Sequence, residues 1–321
     1  MWRHAVASEG MSLTSAPVIV TLTLNPALDV STAVERVVRQ HKLRCEPPRI
    51  TAGGGGVNVA RTVTALGGTA IPVYAVGGLT GERYRLLLHQ EGMPGIAVSI
   101  GGETRESISI DDRGDGGQYR FVFPGPAMTG EEYRSCLEAV GSRLVPGGYL
   151  VVSGSLPAGI SGEVYAELVT TAHERGARCA IDASGDALAQ AIAAGADLIK
   201  PSLRELSEFV GRDLGSTAEQ DDAMRQILAT SNVTEIALTL GADGAALATH
   251  DGVLRLPAFS VTERSTVGAG DAFIAGYVLR TVQGHPANDA LRGALAAGAA
   301  MVASDRTSVA LREWIERVER S

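Results

Sequence analysis

Cysteine is scarce in this 321-residue chain: Cys45, Cys136 and Cys179 stand far apart and never as C-x-x-C. That pattern excludes a disulfide scaffold and fits a reducing compartment, so a cytoplasmic protein is expected. The six histidines (His4, His41, His89, His173, His250 and His285) show no ligand spacing, and no zinc site is read from them. No apolar run approaches the roughly 20 residues of a membrane span. Positive charge is also in deficit. Lys and Arg number 28 against 36 Asp and Glu, a net −8, which argues against a nucleic-acid or anionic-membrane partner. Three catalytic signatures are missing as well. There is no G-x-x-x-x-G-K-[ST], and no G-x-S-x-G. Gly268-x-Gly270 has Phe273 where a dinucleotide fingerprint needs its third glycine.

What is there begins after residue 17. Residues 1–17 carry Arg3 and His4 but no apolar h-region, so they read as a disordered leader rather than a signal peptide, with Met11 a second candidate start. A single domain over 18–321 is expected. Residues 18–24 are β-rich and empty into Asn25-Pro26-Ala27-Leu28-Asp29, a turn whose carboxylate lies past a strand's carboxyl end, where ligands of open α/β sheets bind. Asp29 reads equally as a turn cap. Lys42 and Arg44 fall in a polar stretch that is either surface or site.

Four glycines, Gly53 to Gly56, then open a helical run from Val57 to Leu66. Their entropy cost suits close backbone approach to a polar ligand, with Asn58 supplying its amide from the first turn. A strand at 71–76 and a helix at 80–90 follow. Two alternating runs, 104–110 and 118–123, flank a polar, glycine-rich hairpin loop and break the βα rhythm. With 33–50 they are expected to form a small antiparallel flap, its second part spanning about 96–123. Arg105 lies there, either as an exposed edge residue or as a cation for an anionic substrate.

From Tyr149 the βα alternation is regular, implying a doubly wound, mostly parallel sheet flanked by helices. Strands are expected at 149–153, 178–182, 198–200 and 235–239, with a hairpin over 245–256 and helices at 271–283, 286–302 and 309–320. Polar residues gather at strand carboxyl ends: Lys200-Pro201-Ser202 with Glu205, and Thr239 to Gly244 with glycines at 241 and 244. Glu205 suits Mg²⁺ held through water, or simply the dipole of its helix.

Ser265-Thr266-Val267-Gly268-Ala269-Gly270-Asp271 delivers one carboxylate to the start of an apolar helix. Backbone N–H groups at such a terminus form an anion site, and a carboxylate beside it can take the proton of an attacking hydroxyl. This combination suits phosphoryl transfer. A loop ending in a capping Asp is the plainer alternative.

The glycine run through Arg61, taken with Thr266 to Asp271, resembles the two signatures of the ribokinase-like, PfkB family of carbohydrate kinases. The likeness extends from about residue 18 to 303. Within that family it is greatest, through Lys42-Leu43-Arg44-Cys45, Gln118 to Val122 and Ser153 to Pro157, to members acting on fructose 6-phosphate. Fructose 1-phosphate and tagatose 6-phosphate are the alternative substrates. The resemblance implies ATP with Mg²⁺, Asp271 as base and Gly268, Ala269 and Gly270 as anion hole. It implies Asp29, Gly54, Gly55 and Asn58 at the sugar hydroxyls, and Lys42 and Arg105 at the sugar's phosphate with Ser153 nearby. Lys200, Ser202, Thr239, Gly241, Gly244 and Thr266 would meet ATP, and Glu205 would position Mg²⁺. A homodimer through the flap is also implied. Two departures stand out. Ser202 replaces the first residue of the family's N-x-x-E, the one feature favouring a non-catalytic sugar-phosphate or nucleotide sensor. Arg306 stands where a glycine is usual, against a monovalent-cation (K⁺) site.

Overall fold

The computed structural model describes residues 18–303 and Ile315; the leader, the expected 309–320 helix and Arg306 lie outside the described residues. The chain opens with β1 (Ile19–Thr23), whose five residues are all buried. Such a run, apolar on both faces, belongs inside a parallel sheet covered on both sides. Around it nine strands assemble, in the order β13-β12-β11-β10-β9-β8-β1-β4-β5. They comprise β4 (Ala70–Val76), β5 (Ile96–Ser99), β8 (Tyr149–Ser153), β9 (Arg178–Asp182), β10 (Leu198–Ile199), β11 (Glu235–Thr239), β12 (Ala245–Thr249) and β13 (Gly252–Leu256). Pairing is parallel from β5 to β11 and antiparallel from β11 through β13.

Alternation along β1 sends Val20 and Leu22 to one core and Ile19 to another. The first core lies under α3 (Gly130–Gly141), α4 (Val164–Glu174), α5 (Asp186–Ala194), α6 (Leu203–Val210) and α7 (Thr217–Thr230). The opposite face carries α1 (Gly55–Ala65), α2 (Gly78–Gln90), α8 (Ala269–Val282) and α9 (Ala287–Ala303). Small residues bring α8 and α9 close: a Cβ on Gly276 would meet Gly293 O at 2.7 Å. This contact seats α8, and Asp271 on it, against the sheet. Helix α3 was not foreseen from the sequence, although Thr129 and Glu132 form a full capping box at its start.

The order of the sheet reverses at β1. The chain runs outward through β4 and β5 on one side, then returns to β8 and proceeds the other way. A reversal of this kind leaves a crevice beyond the strand ends, the usual place for a ligand in such sheets.

A second, four-stranded sheet, β3-β2-β6-β7, forms the flap from β2 (Ala27–Val34), β3 (Arg49–Gly53), β6 (Arg105–Asp112) and β7 (Gln118–Val122). Its outer pairs are antiparallel, and the central β2–β6 pair is parallel. Two expectations change here. Asp29 is not in a turn but inside β2, where it pairs with Thr51 and Ser107, because Pro26 breaks the chain first and residues 27–34 satisfy strands on both sides. The flap therefore starts at 27 rather than 33. Its second part starts at 105, since residues 96–99, expected within it, pair with β4 as the edge of the main sheet.

Candidate active site

Helix α8 begins at Ala269 behind Gly268, whose left-handed conformation (φ 82°) is the one glycine adopts freely. No side chain among the described residues caps this terminus; Ala269 N turns back to Thr266 O, and the next N–H, that of Gly270, is left to an anion. Asp271, in the first turn, is held on both oxygens. Asn58 Nδ2 donates to Oδ2 at 2.9 Å and Ser153 Oγ donates to Oδ1 at 3.0 Å. Burial pushes its carboxyl up to about 6, and the nearby negative charge of Asp182 adds to this; the two hydrogen bonds and the Lys200 cation pull the other way. A carboxylate so poised is ionised at neutral pH yet basic enough to accept a proton.

Beside it Lys200, only 6% exposed, pairs with Asp182 at 3.1 Å. Burial lowers the affinity of the amine for its proton, but Asp182, Asp271 and Glu205 outweigh that, and the net direction is upward. Lys200 is therefore a fixed cation. It lies against the start of α8, where a Cβ on Gly270 would come within 3.3 Å of its Nζ. Asp182, at the carboxyl end of β9, is also 3.5 Å from Ser153 Oγ. The sequence reading stopped at this strand end without assigning Asp182 to the site. The signal was there, since the carboxyl end of the neighbouring strand β10 had marked Lys200.

The first glycine run packs tightly within the protein. Close approach does occur, but the approaching atoms are the protein's own. A Cβ on Gly53 would collide with the Asp29 carboxylate, and one on Gly55 with Ser153 Oγ. On Gly54 it would meet Thr23 Cγ2 at 2.6 Å, and on Gly56 Leu22 O at 2.5 Å. The run thus lets Asp29 close on Gly53 and Ser153 close on Gly55, beside the helix that carries Asn58.

Arg105, at the first residue of β6, is half-buried and anchored to main chain. Nε and Nη2 donate to Asn25 O at 3.3 and 3.1 Å, and Nη1 to Phe123 O at 3.4 Å. Burial lowers the affinity of its guanidinium for its proton, and the nearby Asp29 offsets only part of this. Two N–H groups of the guanidinium remain for a further partner. Asn25, not singled out from the sequence, also reaches Ser155 Oγ at 3.0 Å.

At the other end of the crevice Ser202 and Glu205 close a capping box: Glu205 N donates to Ser202 Oγ at 3.3 Å, and Ser202 N to Glu205 Oε2 at 2.8 Å. Serine therefore serves fully as a cap, and one Glu205 oxygen is committed to it. Thr239 lies alongside, bridged to Ser202 and donating from Oγ1 to Pro201 O at 3.4 Å. Gly241 (φ 61°) has open space where a side chain would stand, whereas a Cβ on Gly244 (φ 103°) would run into the backbone of Leu256 to Ala258. Gly244 is required by the hairpin, and Gly241 faces the crevice mouth. Thr266 is exposed in the turn before α8, its carbonyl accepting from Ala269 N at 3.2 Å. Lys42 is exposed in the 35–48 connection between β2 and β3. Among the described residues no cluster of three metal-binding side chains exists. Asp182 and Glu205, both electrostatically felt at Lys200, form a sparse oxygen set of the sort Mg²⁺ uses when phosphates and water complete its shell.

A sheet with this switch point, a flap over it and a carboxylate at an uncapped helix start define the ribokinase-like class. Residues 22–314 match the family described as pfkB family carbohydrate kinase, and the chain belongs to it. It is 37% identical over 301 residues to the ATP-dependent 6-phosphofructokinase isozyme 2 of Mycobacterium tuberculosis, covering 94% of this chain and 88% of that protein. A 1-phosphofructokinase of Rhodobacter capsulatus is 36% identical over 266 residues, with 81% and 82% covered. Crystal structures of phosphofructokinase-2 from Escherichia coli, one in complex with fructose-6-phosphate and one with potassium, superpose with TM-scores of 0.86 and 0.88. Identity is 33% and 34%, and each comparison covers 94% of this chain and 98% of that one. A tetrameric inhibited form of the same enzyme superposes at 0.87.

Proposed function

We propose that this protein is an ATP-dependent sugar-phosphate kinase that phosphorylates fructose 6-phosphate on its free primary hydroxyl. The observation that carries the reading is the Asp271 carboxylate, fixed by Asn58 and Ser153 at the uncapped start of α8 beside the Lys200 cation. The sugar oxygen attacks the γ-phosphorus, the bond to the ADP oxygen breaks, and the hydroxyl proton passes to Asp271. N–H groups of Gly268 and Gly270, joined by that of Ala269 once it leaves Thr266 O, stabilise charge on the transferring group together with Lys200. Asp29, Gly54, Gly55 and Asn58 orient the sugar; Arg105, with Lys42, takes its phosphate, a bidentate task suited to a guanidinium. Thr239, Gly241, Gly244, Ser202 and Thr266 form the nucleotide side. Mg²⁺ held through Asp182 and Glu205 would neutralise phosphate charge.

The flap also supports a homodimer. Its edge strand β7 exposes Tyr119 (42%), Phe121 (48%) and Val122 (64%), an apolar strip that a second flap would cover. Light scattering of the purified protein tests this.

The reaction is tested by ADP release with MgATP across fructose 6-phosphate, fructose 1-phosphate, tagatose 6-phosphate and fructose. Preference for fructose 6-phosphate, abolished by Asp271→Asn, is expected. Turnover confined to another sugar phosphate would keep the mechanism and change the substrate. Nucleotide binding with no turnover would overturn the assignment in favour of a sensor.

A further inference from the structure

Arg61 lies one helical turn beyond Asn58 on α1 and has no part in the reaction just described. Its guanidinium nevertheless donates in three directions. Nη1 reaches Asn58 Oδ1 at 2.8 Å, Nη2 reaches Ala52 O at 2.8 Å, and Nε reaches Glu91 Oε2 at 2.8 Å. Glu91 terminates α2, and Ala52 is the β3 residue before the glycine run. Four polar side chains therefore stand in series: Glu91, Arg61, Asn58 and Asp271.

The chemistry of the series allows one arrangement. A guanidinium only donates and an ionised carboxylate only accepts. Asn58, between Arg61 and Asp271, must turn its carbonyl to the former and its amide nitrogen to the latter. The second N–H of that amide is then left for a substrate oxygen. Without Arg61 the amide retains its bond to Asp271 but loses the fixed point behind it, and both the base and the sugar-facing N–H gain freedom to swing.

We infer that Arg61 is a positioning residue for phosphoryl transfer, acting on the Asp271 base through the Asn58 amide. The inference rests on the reading of Asp271 as the base. A purely structural role is the rival, because Arg61 also ties α1 to α2 and to β3. The two roles separate kinetically. A tie between elements acts on stability, whereas displacement of a base by under an ångström acts on kcat.

The decisive experiment is a double-mutant cycle on kcat and KM with MgATP and the preferred sugar phosphate, using Arg61→Met, Asn58→Ala and the double variant. Arg61→Met is expected to lower kcat about 10- to 100-fold. KM for MgATP should stay within about twofold of its starting value. In the Asn58→Ala background the same substitution should change kcat by less than about twofold, because the route through the amide is already gone. Glu91→Gln, which loosens α2 but leaves the Asn58 contact, should lower Tm with kcat nearly intact. A full, multiplicative loss in the Asn58→Ala background would overturn the inference, as would native kcat in a destabilised Arg61→Met protein. If Arg61→Met does not fold, Arg61→Lys, which keeps a cation near Glu91 but lacks the planar fork, runs the same cycle. Absence of turnover in the unsubstituted protein would instead sink the assignment of Asp271 on which all of this stands.

Discussion

Two glycine-rich stretches bracket the candidate site, and they use the missing side chain in opposite ways. At Gly53–Gly56 the vacated space is filled by Asp29, Thr23, Ser153 and Leu22, so the glycines serve internal packing. At Gly268–Gly270 it is more open: the nearest atom to a Cβ on Gly268 would be Met301 Cγ at 3.8 Å, and one on Gly270 would meet Lys200 Nζ at 3.3 Å and Asp182 Oδ2 at 3.9 Å. One run lets the protein close on itself, with Asp29 against Gly53 and Ser153 against Gly55. The other keeps a helix terminus clear for something that is not protein. Composition alone makes these stretches look interchangeable, but they respond differently to a single methyl group.

The largest effect should come from the residue that both stretches serve. Asp271→Asn removes the proton acceptor and is expected to cut kcat by about 10²- to 10⁴-fold while leaving nucleotide binding, followed by calorimetry, in place. Gly55→Ala comes next. Its methyl would meet Ser153 at both side chain and backbone, and about 1–3 kcal/mol of stability should be lost, read as a fall in the urea midpoint. A pH profile probes the carboxylate itself. Burial and the Asp182 charge raise Asp271 to about 6, so below that pH the base is already protonated. The kcat/KM of the unsubstituted enzyme should fall about tenfold per pH unit on the acid side and level off above it. The smallest change is expected from Gly270→Ala. Alanine suits a helix better than glycine by up to about 1 kcal/mol, so stability should hold or rise slightly. Activity should drop about tenfold as Lys200 Nζ is displaced, read from kcat at saturating substrates. Equal stability losses at positions 55 and 270 would erase the distinction between the two stretches.

Much of this arrangement was legible in the sequence because the strand-then-polar-residue pattern is local. Lys200 and Thr239 were each found from the few residues around them, whereas Ser153 came only through the family resemblance. Asp182 obeyed the same pattern and was passed over, since its neighbours Ala183 and Ser184 carry no glycine-rich signal. Asp29 was read in a turn and lies in a strand. Whether residues 27–34 turn or extend is decided by strands β3 and β6, the latter some 80 positions away along the chain. The same distance explains the flap. Residues 96–99 look like its other strands, and only their pairing with β4 assigns them to the main sheet. Arg61 was quoted as the end of a motif. Its role depends on Glu91 and Asp271, which no local pattern joins to it.

The anchoring of Arg105 has a mechanical consequence. The chain passes between main sheet and flap at four places: ahead of β2, after β3, ahead of β6 and after β7. Arg105 stands at the third, and its guanidinium is fastened to Asn25 at the first and to Phe123 at the last. An anion that pulls on this one side chain loads three of the four pivots together. With Arg105 on the sugar's phosphate, as proposed above, occupancy of the site and the angle of the flap would be coupled through the backbone, and a flap-borne interface between subunits would feel the ligand as tension in the chain.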